Sequence, residues 1–229
     1  TFVFAAMLSA VAMSLLVRDV AGDAGAVLAA LLYTYAPPIL YDAICMGRLP
    51  EVLAWALAPL VLWAFRRLAL SGQGRWLLAA SLSYAALLVT HFLSALPLTP
   101  LVVLYALGSG HGPRARRGLA CLLLALLLGA GISAFLTVPA FIEKGYVHIE
   151  RVYEPWGLDY HNQFVSWQAL LAGPKPIDVS RAERDVPHAI GWIQVVAALA
   201  GALGAVAVGR RPGHRPLYLG ALAVAVVLL

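Results

Sequence analysis

Residues 41–67, YDAICMGRLPEVLAWALAPLVLWAFRR, set the hardest constraint on this chain. Asp42, Arg48 and Glu51 stand directly before a membrane-length apolar run, and Arg66 and Arg67 close it. An ionisable side chain at mid-bilayer costs about 2.5 to 3.5 kcal/mol on insertion scales. Three of them within ten residues cannot face lipid. The polar knot therefore belongs at a water-facing mouth, and the run that follows it crosses a membrane.

The rest of the chain agrees. Of its 229 residues, 62% are hydrophobic and 12% charged, with a mean hydropathy of +0.85. Soluble domains are about 45 to 50% apolar and about 25% charged, so this composition belongs to a polytopic membrane protein. A net charge of +5 would suggest nucleic acid in a soluble domain. Here the basic residues cluster in short loops between apolar runs, where they act as topology signals, and no nucleic-acid partner is expected. Cys45 in a loop and Cys121 in an apolar run are the only cysteines, which predicts neither a disulfide nor a cysteine metal site. Residues 2–17 lack a basic n-region and a cleavage site, so they read as a membrane helix rather than a signal peptide. Both ends lie in apolar runs, and the chain reads as an internal fragment of a larger protein.

A hydrocarbon core of about 30 Å takes about 20 residues. The apolar runs predict spans at 2–17, 25–40, 51–70, 76–92, 94–108, 118–138, 189–208 and 216–229. That is an all-α transmembrane bundle of about seven to eight spans, one domain over 1–229. The stretch 76–107 would be about 48 Å long as one helix, too long for a single crossing. His91, Pro97 and Pro100 interrupt it, which predicts a helical hairpin turning near 92–95. The hairpin puts the basic loops 66–75, 109–118 and 209–216, with Arg18, on one side, and the positive-inside rule makes that side cytoplasmic. The outer side then holds 41–50, the hairpin turn and the long segment 139–188. Within the last, 161–173 has the aromatics of a short interfacial helix.

This topology brings Asp42, Arg48, Glu51, His91, Glu143 and His148 to one membrane face. Pro50 fits the first turn of the following helix, and Glu51 sits where the helix dipole favours an anion. Arg48 is placed to pair with Glu51 or to grip a phosphate through its planar fork. Each residue also has a plainer reading. Glu51 suits a dipole partner equally well, Arg48 an ion-pair partner or a headgroup contact, and Asp42 a solvated turn. A histidine near a helix end, such as His91, is more often a packing residue than a base, and Glu143 follows Pro139 at a helix end. Several ionisable groups at one membrane face nonetheless point to a polar cavity. A carboxylate pair could hold Mg²⁺ or Mn²⁺ through oxygens, but no DxD-like pair is present and no metal ligands are assigned. No Walker loop, GxSxG, HExxH or dinucleotide fingerprint occurs. The small-residue run 197–209 reads as close helix packing.

The segments GRLPEVLAWALAPLVLWAFRRL, LVTHFLSALPLTPLVVLY and LGAGISAFLTVPAFIEKGYV carry a resemblance. Their pattern is Gly47–Arg48, Glu51 opening a helix with central Pro59, a helix ending at His91, and a helix ending in Pro139 and Glu143. It resembles a family of bacterial and archaeal integral membrane proteins called 6-pyruvoyl-tetrahydropterin synthase-related, and beyond it the GT-C superfamily of membrane glycosyltransferases. The resemblance covers about residues 30 to 150. It implies transfer of a sugar from a polyprenyl-phosphate donor at the outer face of the membrane. The superfamily's main catalytic acid lies in a first outer loop, which would precede Thr1, so Asp42 does not inherit that role by position. The expected roles are Arg48, Glu51 and Asp42 in substrate binding and His91 and Glu143 in catalysis. A transporter or flippase of lipid-linked or polar substrates, and a non-catalytic membrane scaffold, are the rival readings. Paired broken helices would mark the transporter.

Overall fold

The computed structural model describes residues 1–109, 115–146, 164–172 and 189–208. Over these residues the chain is helical almost throughout, with no strand. The elements are α1 (Phe2–Thr34), α2 (Pro37–Tyr41), a π-helical turn (Asp42–Met46), α3 (Leu49–Ser71), α4 (Gly74–Thr90), α5 (Phe92–Ser109) and α6 (Ala115–Glu143). A single turn, Trp167–Leu170, and a last helix, Trp192–Val208, follow. Phe2–Thr34, Leu49–Ser71 and Gly118–Tyr146 are long and apolar enough to cross a membrane, and Gly74–Thr90 and Phe92–Gly108 are shorter apolar helices.

The 33 residues of α1 do not form one rod. Gly22 leaves helical geometry at φ 72°, ψ −172°, a conformation that residues with a Cβ rarely adopt. In a straight helix residues 17 and 25 would stand about 12 Å apart. Here a Cβ on Gly25 would lie 3.9 Å from Val17 Cγ1 and 2.6 Å from Ala21 Cβ. The arms 2–21 and 23–34 therefore fold back on one another, and only glycine at 25 lets them meet so closely. Where spans were expected at 2–17 and 25–40, one helix bent at Gly22 runs to Thr34, and the short α2 begins at Pro37.

α3 is the axis of the bundle. Its buried side chains include Val61, Phe65 and Leu68, and they pack with Leu87, Val102 and Leu122 from α4, α5 and α6. Pro59 interrupts α3 and cannot donate to the carbonyl of Trp55, four residues back. Tyr33 on the second arm of α1 supplies the missing donor, its hydroxyl donating to Trp55 O at 2.7 Å. A mid-helix proline thus keeps its backbone partner satisfied from a neighbouring helix, as a membrane interior demands.

Side-chain contacts sort the helix ends into two groups. Asp19 meets Arg66 and Arg67, and Gly118 lies against Ala69, so the Gly22 turn, the end of α3 and the start of α6 share one end. Tyr84 of α4 bonds Thr99 of α5 at 2.8 Å, which makes those helices an antiparallel pair. The chain turns at His91 alone, between Thr90 and Phe92, rather than at 92–95. Phe92 meets Phe141 edge to face, ring centres 5.5 Å apart, so α6 ends beside that turn. The α6 helix runs through Pro139 to Glu143, past the boundary expected at 138. Near a helix end the proline's ring crowds only one preceding carbonyl, and the helix continues.

The last helix joins the second group, because Gln194 Nε2 donates to Leu32 O at 3.3 Å and Ile190 N donates to Leu170 O at 3.1 Å. Of the interfacial helix expected over 161–173, the described residues hold the single turn Trp167–Leu170, capped by Ser166. The span at 216–229, His148 and the basic loop at 209–216 lie outside the described residues.

Candidate functional site

The chain between α1 and α3 is built from short, tightly turned pieces. Pro37 and Pro38 start α2, and its continuation widens into the π-helical turn Asp42–Met46. Gly47 ends that turn in the left-handed region at φ 63°, with open space where a side chain would go. The requirement for glycine at 47 is therefore one of backbone conformation, not of room. The reversal lets Arg48 N–H donate to Asp42 O at 3.0 Å, and Arg48 O then accepts from Val52 N as α3 begins. Sequence positions 42, 48 and 51 are folded onto one another by this one glycine.

The side chains complete the cluster. Arg48 Nη1 lies 3.6 Å from Asp42 Oδ1 and 3.7 Å from Glu51 Oε2. Both distances are ion-pair contacts longer than a good hydrogen bond. Asp42 is nearly enclosed, its side chain 13% exposed, whereas Arg48 is 46% exposed. Glu51 sits in the first turn of α3, where the helix dipole supports its charge. Burial, reinforced by the neighbouring charge of Glu51 and opposed by Arg48, pushes the Asp42 carboxyl up to about 6. The cluster is thus a proton-avid acid and a dipole-held carboxylate sharing one half-free guanidinium.

His91 and Glu143 occupy the same end of the bundle, away from this cluster's ion pairs. His91 is extended and caps α5: its Nδ1 accepts from Ser94 N–H at 3.2 Å and lies 2.7 Å from Ser94 Oγ. Accepting that backbone proton needs a lone pair on Nδ1, which places the neutral ring's own proton on Nε2. In this state Nδ1 is engaged in the cap and Nε2 is the ring's donor. Glu143 is exposed at the end of α6 and has no ion-pair partner among the described residues. No group of three or more His, Cys, Asp or Glu side chains among the described residues is arranged to hold a metal ion.

The opposite end of α3 carries a cluster that the sequence reading passed over. Asp19 Oδ1 accepts from Arg67 Nη2 at 2.6 Å, and Asp19 Oδ2 from Arg66 Nη1 at 3.3 Å. Arg67 lies over Trp63 and Trp76, 5.9 and 5.5 Å from the ring centres. The signal was present as the Arg18–Asp19 and Asp23 charges between two apolar runs, which in a membrane protein call for partners of opposite sign.

A helical bundle with apolar outer faces, arginines clamped at one end of its axis and a charged mouth at the other, defines an integral membrane protein. Residues 1–173 match the family described as 6-pyruvoyl-tetrahydropterin synthase related domain, a membrane protein family, and the chain belongs to it. No curated protein and no solved structure matches the chain.

Proposed function

We propose that this protein is a membrane glycosyltransferase of GT-C type, moving a hexosyl group from a polyprenyl-phosphate donor to an acceptor hydroxyl at the membrane face that bears Asp42. The observation that carries the reading is the Asp42–Arg48–Glu51 cluster, a half-exposed guanidinium beside an acid held near pH 6. A general base works best when its pKa lies near the working pH, and Asp42 meets that condition. With Nδ1 of His91 engaged in capping, Asp42 takes the role of base in this scheme and His91 that of a donor.

The acceptor oxygen attacks the anomeric carbon as its proton passes to Asp42. The bond from that carbon to the phosphate oxygen breaks, and polyprenyl phosphate leaves carrying the electron pair. Arg48 faces the departing phosphate, and Glu51 steadies Arg48 and meets sugar hydroxyls. Proton uptake by Asp42 removes one negative charge from the cluster as the anionic leaving group forms, so the two changes assist each other. Glu143 is a further acceptor at the same end for sugar hydroxyls.

The test uses the chain in proteoliposomes with a radiolabelled hexose on a short polyprenyl phosphate. Asp42→Asn and Arg48→Ala are each expected to lower transfer by about 100-fold or more, the scale of a lost general base, at unchanged expression and with Asp42→Asn no less stable than the wild type. Turnover at the wild-type rate in Asp42→Asn overturns the assignment. Movement of the intact lipid-linked sugar across the bilayer without transfer selects the flippase instead.

A further inference from the structure

The opposite end of α3 has a different composition. Among the described residues there, Arg18, Arg66 and Arg67 share two carboxylates, Asp19 and Asp23. Arg18 pairs with Asp23, and Asp19 is divided between Arg66 and Arg67. Arg75 is exposed and has no carboxylate partner among the described residues. Its guanidinium lies over Trp76, 5.5 Å from the ring centre, the same distance as that of Arg67. Two cations at that distance from one indole stand at most about 11 Å apart, with the aromatic ring as a common platform.

Hydrogen-bonding capacity is unbalanced in the same direction. Trp63 Nε1, Arg66 Nε and Arg67 Nε are buried donors without an acceptor among the described residues. The cluster is rich in donors and positive charge and poor in acceptors. It also combines tryptophan with arginine at a helix end, where a membrane protein meets the headgroup layer.

We propose that the Arg67–Trp76–Arg75 stack, anchored by Asp19, binds the phosphate of an anionic phospholipid in the adjoining leaflet. Asp19 holds Arg67 so that its planar face stays on the two tryptophans, and Arg75 brings the uncommitted charge. A phosphate oxygen would accept from guanidinium N–H groups, and the glycerol backbone would lie along the indoles. This site stands apart from the Asp42 cluster and does not depend on the reading of that cluster.

The full chain in zwitterionic detergent tests it, with dioctanoyl phosphatidylglycerol, dioctanoyl phosphatidylcholine and inorganic phosphate as probes. Phosphatidylglycerol at ten times its Kd is expected to raise the thermal midpoint by about 3 to 6 °C, and phosphatidylcholine to leave it unmoved. Arg75→Gln, at an exposed position, should weaken phosphatidylglycerol binding about fivefold, the effect of one basic residue at a membrane surface. Arg67→Lys keeps the charge but loses the planar stack and should also weaken binding. Equal shifts with both lipids, or unchanged affinity in Arg75→Gln, overturn the proposal. A shift reproduced by inorganic phosphate at the same concentration assigns the site to a free anion and overturns the lipid.

Discussion

At one end of α3 two arginines share Asp19; at the other, two carboxylates share Arg48. The first group is tight, with a 2.6 Å contact and Arg66 almost fully enclosed. The second is loose, its contacts beyond 3.5 Å and its guanidinium half in water. Burying charge is tolerable only where partners and geometry are good, so the tight group is bound up with the fold. A loosely held, half-hydrated group contributes little to stability and keeps its donors for something else. Closeness and enclosure, not the number of charges, separate the two ends.

Asp19→Asn attacks the tight end directly. It leaves Arg66 enclosed with an uncompensated charge and should cost about 3 to 5 kcal/mol, read as a large fall in the thermal midpoint in detergent. A fall no greater than that of an exposed pair would erase the distinction between the two ends. Tyr33→Phe strikes midway between them and strands the carbonyl of Trp55, at about 1 to 3 kcal/mol. On a Pro59→Ala background the helix regains its own donor, so the same substitution should cost markedly less. Equal costs on both backgrounds would detach Tyr33 from the proline.

A pH series separates the clusters next. Between 3.8 and about 6 the folded chain holds a proton on Asp42 that the unfolded chain has lost. The stability this confers is fully present below 3.8 and lost as pH rises through about 6. Asp42→Asn should flatten that decline in a comparison of thermal midpoints, and on the proposed transferase reading wild-type activity should rise over the same interval as Asp42 deprotonates. Parallel midpoint curves for wild type and variant would show that Asp42 titrates as it does in the open chain. The smallest effect is expected from Arg18→Ala. Its contact with Asp23 is 2.6 Å, yet both side chains are largely exposed, so the loss should stay under about 1 kcal/mol.

Much of this was legible in the amino-acid order. Helix type, the antiparallel pair around His91 and the meeting of Asp42, Arg48 and Glu51 follow from apolar run length, loop arginines and the spacing of polar residues. Other features rest on contacts between distant residues that no local pattern encodes. Arg66 and Arg67 read as loop signals because their partner, Asp19, lies 47 and 48 positions away. The capping role of His91 was not read, because its spacing to Ser94 is a capping pattern that histidine rarely fills. Pro59 announced a broken backbone bond, but nothing in its own segment named Tyr33 as the donor that repairs it.

That repair has a mechanical consequence. A hydroxyl from one helix bonded to the backbone of another acts like a tooth between two gears. α3 cannot turn about its long axis without dragging the second arm of α1, and Asp19 on the first arm engages the same helix about three turns further on. Torque applied at the Arg48 mouth is thereby transmitted to the Trp63–Trp76 end instead of dissipating in a flexible proline joint.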